Sequence, residues 1–193
     1  MFFQPLLQKL GSQKQKLDQI FTSSSIAYSE LKEETGLLYL NLDPGSSFKK
    51  LQVKLVDKLG IRHQIDLFRT PFALQIRADN PFQALRLHLK HNDIDAAKNV
   101  VMEIVDCLKG RYQKGILDRD PALRRNIGLI KDRAIAIDIG SFFYSDKLDM
   151  QKELQDDTRR MRRWLLKRSP ELTTYLDSLT VHCKEREQAD QSL

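Results

Sequence analysis

Cysteine is nearly absent from this chain: Cys107 and Cys183 are the only two in 193 residues. Neither lies in a CxxC or Cys/His pattern with zinc-ligand spacing, so a disulfide framework and a structural zinc site are excluded and two ordinary reduced thiols remain. Long hydrophobic runs are also missing, and no transmembrane segment is expected. The opening MFFQPLLQKL has neither a basic leader nor a long apolar core, so no secretory signal is read there and a cytoplasmic location is expected. Glycine is sparse, and nowhere does it form G-x-G-x-x-G. The hairpin tip Asp57-Lys58-Leu59-Gly60 has a single glycine, too few for the backbone to wrap phosphates. His63, His88, His91 and His182 show no metal-ligand arrangement with carboxylates.

What is present is a globular composition, 41% hydrophobic and 30% charged, enough for one well-buried core or two small lobes. A net charge of +6 and a pI near 9.3 permit nucleotides, nucleic acid or anionic surfaces as partners without choosing among them.

Residues 2–21 place Phe3, Leu6, Leu7, Leu10, Leu17, Ile20 and Phe21 at helical spacing, interrupted at Gly11 and Ser12. They predict a helix packed on the main body, since the polar face is rich in glutamine rather than strongly basic. Thr22 to Ser25 reads as a linker. From Gly36 the pattern turns to strands: Leu37 to Leu42, Leu51 to Val56, Ile61 to Leu67 and Phe72 to Ile76, with turns at 43–45, 57–60 and 69–71. Their order predicts an antiparallel meander. A short helix over Pro81 to His91 follows, then a long one over Asp93 to Gln113, where Ala97, Val100, Val101, Ile104, Val105, Leu108 and Tyr112 form one stripe. Asn92 or Asp93 can cap its start, and Gly115 follows its end. Two further helices are read at 149–167 and 170–186, divided by Ser169-Pro170, with a polar tail after Glu185.

The stretch KGILDRDPALRRNIGLIKDRAIAIDIGSF, residues 114–142, organises the rest. Ile127 to Ile130 and Ala134 to Ile137 are short, β-branched and separated by a polar turn, which predicts a hairpin. Its ends would bring Asn126 and Asp138 together, with Asp120 just upstream. Converging hard oxygen ligands of this kind suit magnesium, which completes its shell with water and phosphate.

This stretch resembles the catalytic loop and metal-binding hairpin of the protein-kinase-like superfamily, with its H-R-D, following asparagine, strand pair and D-F-G. Arg119-Asp120 matches the R-D, Asn126 the metal-binding asparagine and Asp138-Ile139-Gly140 the D-F-G, while Lys114-Gly115-Ile116 is similar to the lead-in. Several positions depart from the pattern. Asp118 stands where the histidine should be, Asn126 comes one residue late, and Ala122 occupies the usual lysine position. No glutamate is available in 81–91 for an ion pair, and no A-P-E follows the very short segment Ser141 to Lys147.

The resemblance covers residues 49–143 in outline, and its motifs are specific over 93–143. It implies a fold of the α+β class, a small N-terminal antiparallel sheet followed by a mainly helical kinase-like C-terminal lobe. The divisions are 1–34, an N-terminal helix and linker; 35–91, a reduced N-lobe-like meander with a short helix; and 92–193, a helical region with the catalytic-type hairpin. The implied function is an atypical small phosphotransferase using Mg-ATP on an unknown acceptor. In it Asp120 would accept or orient the acceptor proton, and Asn126 and Asp138 would hold the metal. Arg77, at the strand-lysine position, or Arg124 would neutralise developing charge. The missing parts keep open a pseudokinase-type scaffold or partner-binding protein without catalysis.

A third class is a basic nucleic-acid-binding module using Arg159 to Arg168, with Trp164 as a stacking platform. The favoured reading of that cluster is a solvated face that pairs with Glu153, Asp156 and Asp157 while Trp164, Leu165 and Leu166 pack inward.

Overall fold

The computed structural model describes the backbone of residues 4–43, 45 and 51–181, with side chains from Lys14 onward. The stripe residues Phe3, Leu6, Leu7 and Leu10, the turn residue Pro44, His182, Cys183 and the tail lie outside the described side chains. Within these bounds the chain is mixed α and β, with seven helices and four two-stranded antiparallel sheets.

The long apolar stripe becomes the axis of the fold. Helices α1 (Gln4–Ser29) and α2 (Lys32–Thr35) precede β1 (Leu37–Asn41), β2 (Gln52–Val56), β3 (Arg62–Asp66) and β4 (Phe72–Gln75), and α3 (Pro81–Lys90) leads into α4 (Ile94–Gln113). Asn92, at φ 55°, reverses the chain between α3 and α4, and the Asp93 carboxylate caps α4 by accepting the N–H of Ala96 at 3.1 Å. All seven stripe residues are buried. Each buried Val, Ile or Leu contributes about 1.5–3 kcal/mol of transfer free energy, so this helix cannot leave the core without most of the fold. Gly115, at φ 70°, ends it in the left-handed region.

After α4 come β5 (Ile116–Asp118), α5 (Leu123–Asn126), β6 (Ile127–Ile130), β7 (Arg133–Ala136), β8 (Phe142–Tyr144), α6 (Met150–Leu166) and α7 (Pro170–Val181). Strand β5 pairs with β8 and β6 with β7. Helices α3, α6 and α7 and strands β5 and β7 all pack on α4. One contiguous core runs from Ile26 to Leu176, across both expected divisions at 34/35 and 91/92.

Two expectations for the N-terminal half are corrected. Thr22 to Ser25 is no linker, because α1 runs straight through it. Thr22 and Ser25 donate to the carbonyls of Asp18 and Phe21, one turn back, at 2.9 Å each, and Ser23 and Ser24 are buried. Hydroxyls satisfied inside the helix no longer compete with it. The four N-terminal strands also do not form a meander. Strand β1 pairs with β4, while β2 and β3 make a hairpin of their own.

Asp57 organises that hairpin's tip by accepting the N–H groups of Leu59 and Ile61, at 2.8 and 2.9 Å. Every residue of β2 is exposed. Period-two alternation identifies a strand but not the neighbour that covers it. In the C-terminal part, Leu166, expected inward, is exposed, as is Tyr144. Among the described residues no helix is long and apolar enough to cross a membrane.

Beyond β4 the chain reaches β6 through a bridge in which Asp79 and Leu129 exchange both backbone hydrogen bonds, at 2.8 and 2.7 Å. That approach needs Gly128, since a Cβ there would lie 2.5 Å from the Cβ of Ala78. Gly128→Ala is expected to destabilise the fold by about 1–3 kcal/mol, lowering the melting temperature by roughly 3–10 °C. Thermal denaturation checks this, and an unchanged midpoint would refute the close approach.

Candidate functional site

The hairpin β6–β7 is closed at its base by the N–H of Ile137 donating to the carbonyl of Asn126 at 2.8 Å. This fixes Asn126 and Asp138 together at the open end of the strand pair. Asn126, itself buried, donates its Nδ2 to the backbone carbonyl of Asp120 at 2.6 Å, which ties the preceding loop to the hairpin. With Nδ2 committed, the amide oxygen is the group Asn126 has to offer. Asp138 turns one carboxylate oxygen back onto the N–H of Gly140 at 3.0 Å. Asp120 forms an ion pair with Arg125 at 3.1 Å. Asp120, Arg125, Asn126, Ile137 and Asp138 thereby line one open cleft of about 490 Å³.

Three of the five sequence-derived candidates, Asp120, Asn126 and Asp138, therefore meet, and two do not. Arg77 is exposed in the connection that follows β4 and is not among the lining residues. Ile76 still donates to the carbonyl of Gly36, one step beyond the Leu37–Gln75 pair, and the chain then leaves β1 to bridge at Asp79 to Leu129. Arg124 also stands outside the lining; it is exposed, and its carbonyl accepts the Nδ2 of Asn80, the N-cap of α3. Arg125 faces the cleft in its place. Successive residues of the short helix α5 point about 100° apart, a difference that the Arg124-Arg125 doublet does not disclose. Among the described residues no group of three or more His, Cys, Asp and Glu side chains could hold a metal ion. A magnesium ion here would rest on Asn126 and Asp138 alone, with phosphate and water oxygens completing its shell.

Beneath the loop is a buried ionic network. Asp118, with 3% of its side chain exposed, accepts the N–H of Asp120 at 2.9 Å and the hydroxyl of Ser141 at 2.5 Å. Its other oxygen faces Arg111 at 3.4 Å, and Arg111 also pairs with Asp157 of α6 at 3.1 Å. The Tyr112 hydroxyl donates to the same Asp157 oxygen. One guanidinium thus serves two buried carboxylates. From the other side of the site, Ser23 of α1 donates to the carbonyl of Ile139 and accepts the N–H of Phe142, both at 2.6 Å. Sequence reasoning missed Ser23, Arg111, Ser141 and the role of Asp118. The available signal was an arginine inside the footprint of a buried helix.

A second cleft of about 480 Å³ adjoins the first, sharing Ile137 and Asp138. Its walls include Ile20 and Phe21 of α1, Leu40 of β1 and Phe72 and Gln75 of β4. Gln75 is held by donating its Nε2 to the carbonyls of Thr35 and Ala136, at 2.6 and 2.9 Å. No described residue of the β2–β3 hairpin lines either cleft. Cys107 contributes no thiolate chemistry, because burial pushes its thiol up to about 11.

The chain matches no protein-family model, no curated protein and no solved structure.

Burial pushes the Asp157 carboxyl up to about 6, against the Tyr112 hydroxyl and Arg111, which pull it down; Asp118 and Glu153 push it further up. An unfolded aspartate titrates near ~3.9, so the folded state binds this proton more tightly. Stability from this group is full below about pH 4 and is lost as pH rises through about 6. Between roughly pH 4 and pH 7 the wild type should lose about 2–3 kcal/mol that Asp157→Asn does not lose. Denaturant unfolding across that window checks it; parallel curves would show that folding does not raise the Asp157 carboxyl.

Proposed function

We propose that this chain is a small, atypical kinase-like phosphotransferase that uses Mg-ATP, with its nucleotide phosphates at the cleft of Asp120, Asn126 and Asp138. The observation that carries this reading is the convergence of those three side chains on one cleft. It is supported by the order of elements around them: a buried helix, a loop, a strand pair and an Asp-Ile-Gly turn, the arrangement that the kinase-like resemblance implies for a C-terminal lobe. Phosphoryl transfer asks little covalent chemistry of a protein and depends on positioning and electrostatics.

Asn126 and Asp138 would hold the metal, which when bound neutralises charge on the phosphates. Asp120 would orient the acceptor hydroxyl and take up its proton. Arg125, rather than Arg77 or Arg124, is the cation at hand to meet charge on the transferred group, and its ion pair keeps the Asp120 carboxylate in place. The adjoining cleft, with Ile20, Phe21, Leu40 and Phe72 on its walls, offers apolar surface to the rest of the nucleotide. A cytoplasmic location belongs to the same proposal.

A second reading, a nucleotide-binding scaffold without transfer, is favoured by two observations. The described lining of the cleft includes no lysine. Asp120 is also engaged by Arg125 instead of standing free.

The experiment is a thermal shift with ATP, with and without magnesium, on the wild type, Asp138→Asn and Asp120→Asn. A ligand at tenfold its Kd adds about 1.4 kcal/mol, a rise of roughly 3–6 °C for a chain of this size. The shift should require magnesium, vanish in Asp138→Asn and persist in Asp120→Asn. No shift at millimolar nucleotide sinks the proposal. Phosphate release from ATP then separates the two readings: a transferase loses it in Asp120→Asn, whereas in a scaffold the wild type is no faster than that variant.

A further inference from the structure

The expected pairing of the basic cluster on α6 with its own acids does not occur. Asp157 turns inward to Arg111, and Arg162 reaches across to Asp177 of α7, with two contacts of 2.7 Å. Glu171, the acid in the first turn of α7, is taken by Lys98 at 2.6 Å. Lys152, Arg159, Arg160, Arg163 and Lys167 are all exposed, and among the described residues none has an ion-pair partner.

At about 100° per residue these five fall within an arc of roughly 100°, and at about 1.5 Å per residue they extend over about 22 Å. Asp156 is the one acid on that arc. The opposite side of α6, with Leu154, Thr158, Met161 and Leu165, is buried. The result is a cationic ridge along α6, carrying an excess of four positive charges.

We infer that this ridge binds the phosphate backbone of nucleic acid, without reading its bases. Charge complementarity and geometry both point to a polyanion with regularly spaced phosphates. Arg159 and Arg163 lie one turn apart, as do Arg163 and Lys167, so successive cations can follow one strand. Guanidinium forks also grip phosphate oxygens bidentately. A membrane surface fits less well, because the apolar side of α6 is already buried and cannot insert; Leu166 is the one large exposed hydrophobic residue on this helix. Base stacking is not on offer. Trp164 packs edge-on against Phe82 at 5.5 Å and is covered by the guanidinium of Arg168 at 4.4 Å. Binding therefore rests on backbone charge alone, which makes it sequence-independent and steeply dependent on salt. This inference stands independently of the nucleotide cleft.

The test is fluorescence anisotropy of the full chain with a labelled duplex of about 20 base pairs, DNA and RNA in turn, across a salt series. A plot of log K against log salt should have a slope of about −3 to −4, at about −0.9 per phosphate neutralised. The double variant Arg159→Gln/Arg163→Gln should make the slope shallower by about 2 and keep its melting temperature. Arg162→Gln, whose guanidinium is engaged by Asp177, should leave the slope nearly unchanged. Scrambling the base sequence should not alter affinity. Three results would overturn the inference: no binding even at low salt, a slope untouched by the double variant, or tighter binding to phosphatidylcholine–phosphatidylserine vesicles than to either nucleic acid.

Discussion

Arg111 sits at the end of a helix whose other inward residues are apolar, with 5% of its side chain exposed. Burying a guanidinium is tolerable only if carboxylates are buried with it, and here two are: Asp118 of β5 and Asp157 of α6. Each comes from a different element, so the charge requirement of one residue fixes three elements relative to one another. Phe142, fully buried, lies with its ring 5.6 Å from the same guanidinium. Replacing such a cluster with well-packed hydrophobic residues need not weaken a fold, but removing one member strands a charge in the interior. The network is therefore better understood as fixing geometry than as supplying stability.

What it fixes is the loop that carries Asp120. Asp118 holds the Asp120 N–H, Asn126 holds the Asp120 carbonyl, and Arg125 holds its carboxylate. The residue is gripped through three different groups, two of them on the backbone, so its position depends little on its own rotamer. The same economy governs Asp138, whose neighbours Ile139 and Phe142 are both tied to Ser23. Both carboxylates are placed by polar contacts to the chain on either side of them, so the geometry of the cleft is set by the fold itself.

How much of this was legible follows from the separation of the partners along the chain. The stripe of α4 and the β6–β7 hairpin were visible because period and turn chemistry are local, and the meeting of Asn126 and Asp138 follows from that hairpin alone. Pairings between distant segments were not visible. Nothing in Leu37 to Asn41 announces that its partner is Phe72 to Gln75 rather than the next strand. Thr22 to Ser25 has linker composition, yet becomes helix once its hydroxyls find carbonyls one turn back and a core to face. Arg125 and Arg124 are indistinguishable in sequence because one turn of helix decides between them. Asp157 looked like a surface acid beside arginines, and only the position of Arg111 across the core explains why it points inward.

The two bonds of Ser23 also bear on the order in which the molecule assembles. Residues 94–144, which include every described lining residue of the Asp120–Asp138 cleft, pair over shorter spans, as Asp118 with Phe142. The contact of Ser23 with Phe142, in contrast, closes a loop of 119 residues. Loop-closure entropy grows with the logarithm of length, so this closure costs about 1.6 kcal/mol more than one of roughly 20 residues. On this ground the Ser23 contact is expected to close after the strand pair that bounds the cleft. A nascent chain can pack α1 on α2 and β1 as these emerge, but the two bonds of Ser23 wait for more than a hundred further residues, and among the described residues the buried face they belong to consists of Ser23, Ser24, Ile26 and Ala27.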